Sequence, residues 1–172
     1  PDPELESRVD EVIGILARAQ EEDGYLDTYF IIKEPEHRWQ DLLEGHELYC
    51  MGHLMEAAAA YYEVTGKRSL LEIAGRMADH IASVFDEEHY GIPGHEEVEV
   101  GLMRLYQVTG RESYRDLAKY FIDSRGQKPE FFREEKERRT FSVFDMDPED
   151  LLYNQSHLPV RQQTTAEGHA VR

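Results

Sequence analysis

Three histidines in this chain follow a glycine at the expected entrance of a helix: Gly45-His46-Glu47, Gly94-His95-Glu96 and Gly168-His169-Ala170. An imidazole both donates and accepts hydrogen bonds near neutral pH, which suits it to polar, hydroxyl-bearing ligands. In a barrel of alternating helices, the turns that lead into inner helices line one mouth. Three such residues would then converge on one ligand, so His46, His95 and His169 are the candidate substrate-binding residues. Plain helix capping by the same residues is the competing reading.

No other histidine pattern points to chemistry. Neither His-Glu-x-x-His nor Cys-x-x-Cys spacing occurs, and a lone cysteine cannot build a thiolate zinc site, so no metal ligands are assigned within the chain. His46 and His53 are two helical turns apart, roughly 10 Å, too far to share an ion directly. His37, His80 and His89 read as surface or packing residues. Cys50 sits in an apolar helical run, where a buried and inert thiol is expected. The Ala57 to Ala60 run reads as a close-packing surface, and Tyr61, Tyr62 and Tyr106 as core.

The elements that must carry these residues repeat. Tyr62-Glu63-Val64-Thr65-Gly66-Lys67 returns 44 residues later as Tyr106-Gln107-Val108-Thr109-Gly110-Arg111, and the match runs on through Leu70/Tyr114, Ile73/Leu117, Ala74/Ala118, Met77/Phe121 and Asp79/Asp123. A period in the range of about 20–50 residues means stacked supersecondary units. Each unit here is a helix, a turn whose glycine takes the left-handed conformation, and a second helix running back. Apolar spacing predicts helices over about 5–20, 43–65, 69–85, 96–109 and 113–124. Ser69 with Glu72, and Ser113 with Asp116, are the expected capping boxes. Gly24 is expected to close the first helix, Tyr25 to Ile32 to be extended, and residues 127–152 to be an irregular, charged insertion. The fold class is therefore all-α, a row of helical hairpins.

Composition narrows the partners. With 36 acidic against 19 basic residues the net charge is -17, so nucleic acid and anionic membrane are poor partners, whereas neutral sugars are compatible. There is no apolar run of the ~18 residues a membrane span needs. One cysteine precludes an internal disulfide and allows a reducing, cytoplasmic location.

The chain resembles the β-L-arabinofuranosidase family of glycoside hydrolases, family 127. The resemblance is carried by Ala19-Gln20-x-x-Asp23-Gly24-Tyr25-Leu26, Gly45-His46-Glu47-Leu48-Tyr49-Cys50-x-Gly52-His53-Leu54-x-Glu56-Ala57, Pro93-Gly94-His95-x-Glu97-x-Glu99, and His157-x-Pro159-Val160 through Gly168-His169-Ala170-Val171-Arg172. It implies a retaining exo-glycosidase acting on terminal β-L-arabinofuranose or a related sugar, built on an (α/α)6 toroid followed by β-sandwich domains. It also implies that His46, His95 and His169 line the sugar pocket. A zinc-bound cysteine nucleophile and a glutamate acid/base are the family's catalytic groups, and zinc is the implied cofactor.

On this reading residues 1–172 are part of the toroid, with the catalytic and zinc-binding groups expected beyond Arg172 and no activity expected from this part alone. Uncovered apolar helix faces would favour a homo-oligomer. Glu47 and Glu96 adjoin the histidines, and orienting them and plain solvation are equal readings of the two carboxylates. The alternatives are another toroid enzyme acting on carbohydrate, such as an epimerase or polysaccharide lyase, and a non-catalytic helical-repeat binding module.

Overall fold

A computed structural model describes residues 2–143, and these form helices without strands. The first helix, α1 (Pro3–Ala19), starts where Asp2 accepts from the Glu4 and Leu5 amides with Pro3 in the first turn. A short α2 (Thr28–Ile32) and a 3-10 turn (Pro35–His37) lead to α3 (Glu47–Thr65). Then follow α4 (Ser69–Val84), α5 (Glu97–Thr109), α6 (Glu112–Ser124) and α7 (Phe131–Arg138).

The 44-residue repeat is structural. Gly66 and Gly110 both cap their helices in the left-handed conformation at φ +72°, and Thr65 and Thr109 make the same contacts. Each threonine hydroxyl donates four residues back, to the carbonyl of Tyr61 or Leu105, and accepts from the amide of Lys67 or Arg111. The hairpins α3/α4 and α5/α6 follow, with α1 packed on α4. Their matched positions Leu70/Tyr114, Ile73/Leu117, Ala74/Ala118 and Met77/Phe121 are all buried.

The two inner helices, α3 and α5, approach so closely that their backbones touch. A Cβ added at Gly52 would lie 2.3 Å from the Glu97 carbonyl carbon, and one at Gly101 2.4 Å from the Gly52 oxygen. Only glycine permits this contact. Because His46 precedes Gly52 by the same six residues as His95 precedes Gly101, the crossing sets both histidines at one end of the helix pair.

Several expectations are corrected. Residues 28–32 are helical because Asp27 accepts from the Tyr29 and Phe30 amides, giving an otherwise extended-looking run a cap. Residues 131–138 form α7 instead of an irregular stretch, because Phe131 and Phe132 are 3% and 1% exposed and anchor it to the core. Residues 144–152 of that expected insertion lie outside the described residues. The serine capping boxes do not form: Ser69 and Ser113 lie inside their helices, and no side chain caps α4 or α6. Gly24 does not close α1, whose last turn is capped at Gln20. Its φ of +93° instead lets the backbone pass the Arg76 carbonyl, where a Cβ would come within 2.3 Å.

Two glycines separate the two roles that glycine plays here. Gly52→Ala forces backbone against backbone and is expected to cost roughly 1–3 kcal/mol. Gly66→Ala meets no atom within 4 Å and should cost only its left-handed strain, about 1 kcal/mol. Urea unfolding of both variants checks the order; equal losses would mean that the helix crossing is not the tight constraint.

Candidate functional site

The entrance of α3 is shaped by a buried carboxyl. Glu47, 2% exposed, turns away from His46 and accepts from the Tyr25 hydroxyl at 2.5 Å and from the Trp39 amide at 2.8 Å. Trp39 and His46 are the two non-glycine residues with positive φ among the described residues, at 62° and 57°. The loop between them therefore starts and ends in strained backbone, and one carboxyl bonds directly to the first end and follows the second in sequence. Glu47 thus orients the loop, which is neither of the two expected roles, orienting the imidazole or standing in solvent.

The imidazole is oriented by backbone. His46 Nδ1 lies within hydrogen-bond reach of the Glu44 carbonyl oxygen. A carbonyl only accepts, so Nδ1 carries the proton, and in the tautomer this contact selects Nε2 is an acceptor. His95 stacks on His46 with ring centroids 5.2 Å apart and planes 28° apart. Tyr49 stands edge-on to both, at 5.5 and 5.0 Å, and also to His53 at 4.5 Å. His53 in turn lies between two carboxylates, 3.6 Å from Glu56 and 4.0 Å from Glu97.

The structure thus brings two of the three candidate histidines together, and His169 lies outside the described residues. It also adds two residues that sequence reasoning did not assign to the site, Tyr49 and His53. Their signal was present: positions 46, 49 and 53 share one helical face. His37, His80 and His89 are apart from this cluster. His37 pairs with Glu34 and stacks on Phe141, His80 packs against Tyr25 and Trp39, and His89 lies beside Asp86.

Cys50 is exposed, contrary to the buried thiol expected, because α3 buries Met51 and Gly52 beside it and turns position 50 outward. Its thiol pKa is nevertheless pushed up, first by desolvation and then by the charges of Asp27 and Glu47. A thiol held protonated, in a chain with one cysteine, does not fit a thiolate zinc centre. Among the described residues His95, Glu96 and Glu97 offer ligand atoms within 4.8 Å of one another. The site's evident chemistry is hydrogen bonding: an oriented acceptor nitrogen, a second imidazole, a tyrosine edge and flanking carboxylates suit a neutral polyhydroxyl molecule.

Comparison with known proteins agrees with that chemistry. The family model described as β-L-arabinofuranosidase, GH127 catalytic domain, matches residues 1–172. A non-reducing end β-L-arabinofuranosidase of Bifidobacterium longum subsp. longum is 42% identical over 181 residues, covering 100% of this chain and 28% of its own length. The crystal structure of a GH127 β-L-arabinofuranosidase from Geobacillus stearothermophilus T6 superposes with a TM-score of 0.79 at 50% identity, over 94% of this chain and 26% of that one. A further GH127 β-arabinofuranosidase superposes at 0.69 with 31% identity, over 99% of this chain and 29% of its own. The chain therefore spans little more than a quarter of the relatives it matches.

Two buried carboxyls give the fold a pH dependence. Desolvation raises Glu47 to about 8 against its usual 4.5, despite the lowering effect of the Tyr25 and Trp39 bonds. Glu135, on α7, is likewise raised to about 8 by burial. The folded chain keeps protons that the unfolded chain has released above 4.5, so this stabilisation is full below 4.5 and is lost as pH rises through about 8. The expected loss is on the order of 1 kcal/mol per pH unit for each group within that window. Calorimetry between pH 5.5 and 8.5 should show the melting temperature falling, with a flatter slope in Glu47→Gln and Glu135→Gln; identical slopes in all three proteins would contradict it.

Proposed function

Given that the chain belongs to the β-L-arabinofuranosidase family GH127, we propose that the protein it forms part of is a retaining exo-glycosidase that releases terminal β-L-arabinofuranose from glycans. Residues 1–172 contribute one side of the sugar pocket and part of an (α/α)6 catalytic domain. The observation that carries this reading is the stacked pair His46 and His95, held at one end of two touching helices with Nε2 of His46 left as an acceptor. His46 accepts from one sugar hydroxyl, and His95 binds a neighbouring one. Tyr49 walls the pair. His169 is the third residue of the set on the basis of its matching Gly-His sequence.

The described residues supply binding and orientation, and no catalytic step is assigned to them. A cysteine nucleophile with zinc and a glutamate acid/base belong, on this reading, to residues beyond Arg172. Zinc there would keep the thiol ionised at neutral pH. The net charge of -17 is compatible with a neutral glycan and disfavours polyanionic substrates.

The test is hydrolysis of an aryl β-L-arabinofuranoside by the full-length protein, with and without a zinc chelator. Activity lost on chelation is expected, and turnover of other linkages alone would favour a different toroid carbohydrate enzyme. In the same assay His46→Ala should lower kcat/KM at least about tenfold, the equivalent of roughly 1.4 kcal/mol. Unchanged kinetics would remove His46 from the pocket.

A further inference from the structure

The turn that carries His46 is clamped from outside the hairpin repeat. Arg139, directly after α7, has a side chain only 4% exposed and pairs with two carboxylates that are fully buried, Asp41 and Glu44. Its Nη1 meets Asp41, and its Nη2 lies 3.7 Å from Glu44. Ser142 bridges the same groups, accepting from Arg139 at 2.9 Å and donating to Glu44 at 2.9 Å. Asp41 in turn accepts from the Glu44 amide at 3.0 Å and the Val143 amide at 3.3 Å. A guanidinium fork suits such a two-carboxylate site in a way an ammonium does not.

Both histidines hang from the segment so fixed. The Glu44 carbonyl receives Nδ1 of His46, and the Gly45 amide donates to the Asp41 carbonyl at 2.8 Å. On the other side, the Gly94 amide donates to the Leu42 carbonyl at 3.1 Å, one residue before His95. A Cβ at Gly94 would stand 2.7 Å from the Leu43 oxygen, so that contact too leaves no room for a side chain. Glu135 completes the clamp by accepting from the Leu42 amide at 2.9 Å.

We propose that Arg139 is a positioning residue for the imidazole pair, holding the 41–45 turn through Asp41 and Glu44 so that His46 and His95 keep their stacked, sugar-facing geometry. The proposal rests on the glycosidase reading for what the histidines bind, and on this chain alone for how they are held. Arg139 itself touches no substrate. Removing it leaves two buried carboxylates uncompensated, and the turn is the element free to move toward water.

The test uses the full-length protein and the variants Arg139→Lys and Ser142→Ala, the second leaving the guanidinium in place if the first fails to fold. Modification rates of individual histidines by diethyl pyrocarbonate, located by mass spectrometry, report the imidazoles without any substrate. The expected result is a rise of about threefold or more at His46 and His95, with His80 unchanged, since His80 packs on Tyr25 and Trp39, which Glu47 holds independently of Arg139. KM for the aryl β-L-arabinofuranoside should rise more than kcat falls. Unaltered reactivity of His46 and His95 in both folded variants, or a parallel rise at His80, would overturn the proposal. If the wild-type protein fails to cleave the arabinofuranoside, the glycosidase reading falls, while the histidine rates still decide the role of Arg139.

Discussion

The contact between the backbones of α3 and α5 is the constraint on which the site depends. Two helices whose axes are kept apart by side chains can slide by a turn and remain packed, because ridges re-enter neighbouring grooves. Gly52 and Gly101 remove that freedom, since the Gly52 oxygen sits where any Cβ at position 101 would stand. The register of the pair is then fixed, and with it the relative height of the two helix entrances. His46 and His95 stack because they lie equally far upstream of the two glycines.

Register alone does not aim an imidazole. His46 occupies a left-handed backbone position, which costs any residue with a Cβ some strain and is kept here by its surroundings. Two sets of buried polar groups do so from opposite sides. Glu47, with Tyr25 and the Trp39 amide, fixes the loop from the α1 side, while Arg139, Asp41, Glu44 and Ser142 fix it from the α7 side. Buried charge contributes little net stability when its desolvation is counted, and its best-attested role is to select one geometry. Here the geometry selected is that of the turn bearing the histidine.

The hairpin repeat was legible in the sequence because it is written in glycine, threonine and apolar periodicity, each of which has a local physical meaning. The pairing of His46 with His95 was legible for the same reason, through the glycine before each. What escaped was whatever depends on burial that composition hides. Residues 131–138 read as a solvated charge run, yet Phe131, Phe132 and Glu135 are buried and the segment is helical. Cys50 erred the other way, since apolar neighbours in sequence occupy different helix faces. The serine capping boxes do not form, because α4 and α6 begin at Ser69 and Glu112 and leave neither serine at the N-cap. The side-chain bonds at these turns come instead from Thr65 and Thr109, at the ends of the preceding helices. His169 lies outside the described residues, so its place in the set rests on sequence.

The division between repeat and clamp separates two ways in which the histidines are placed. Hairpins joined by Val-Thr-Gly turns reproduce one scaffold, and each inner helix offers one residue at its entrance. The repeat cannot tune that residue by itself, because altering the glycine crossing would move both histidines together. A segment outside the repeat that bonds to the turn can move the turn while leaving the helix pair intact. Residues 131–143 have that topology: their buried charges meet residues 41–44, and the hydrogen bond from Gly94 to Leu42 carries the constraint across to the second histidine. The clamp therefore sets where the turn lies, and the helix crossing sets the relative height of the two histidines.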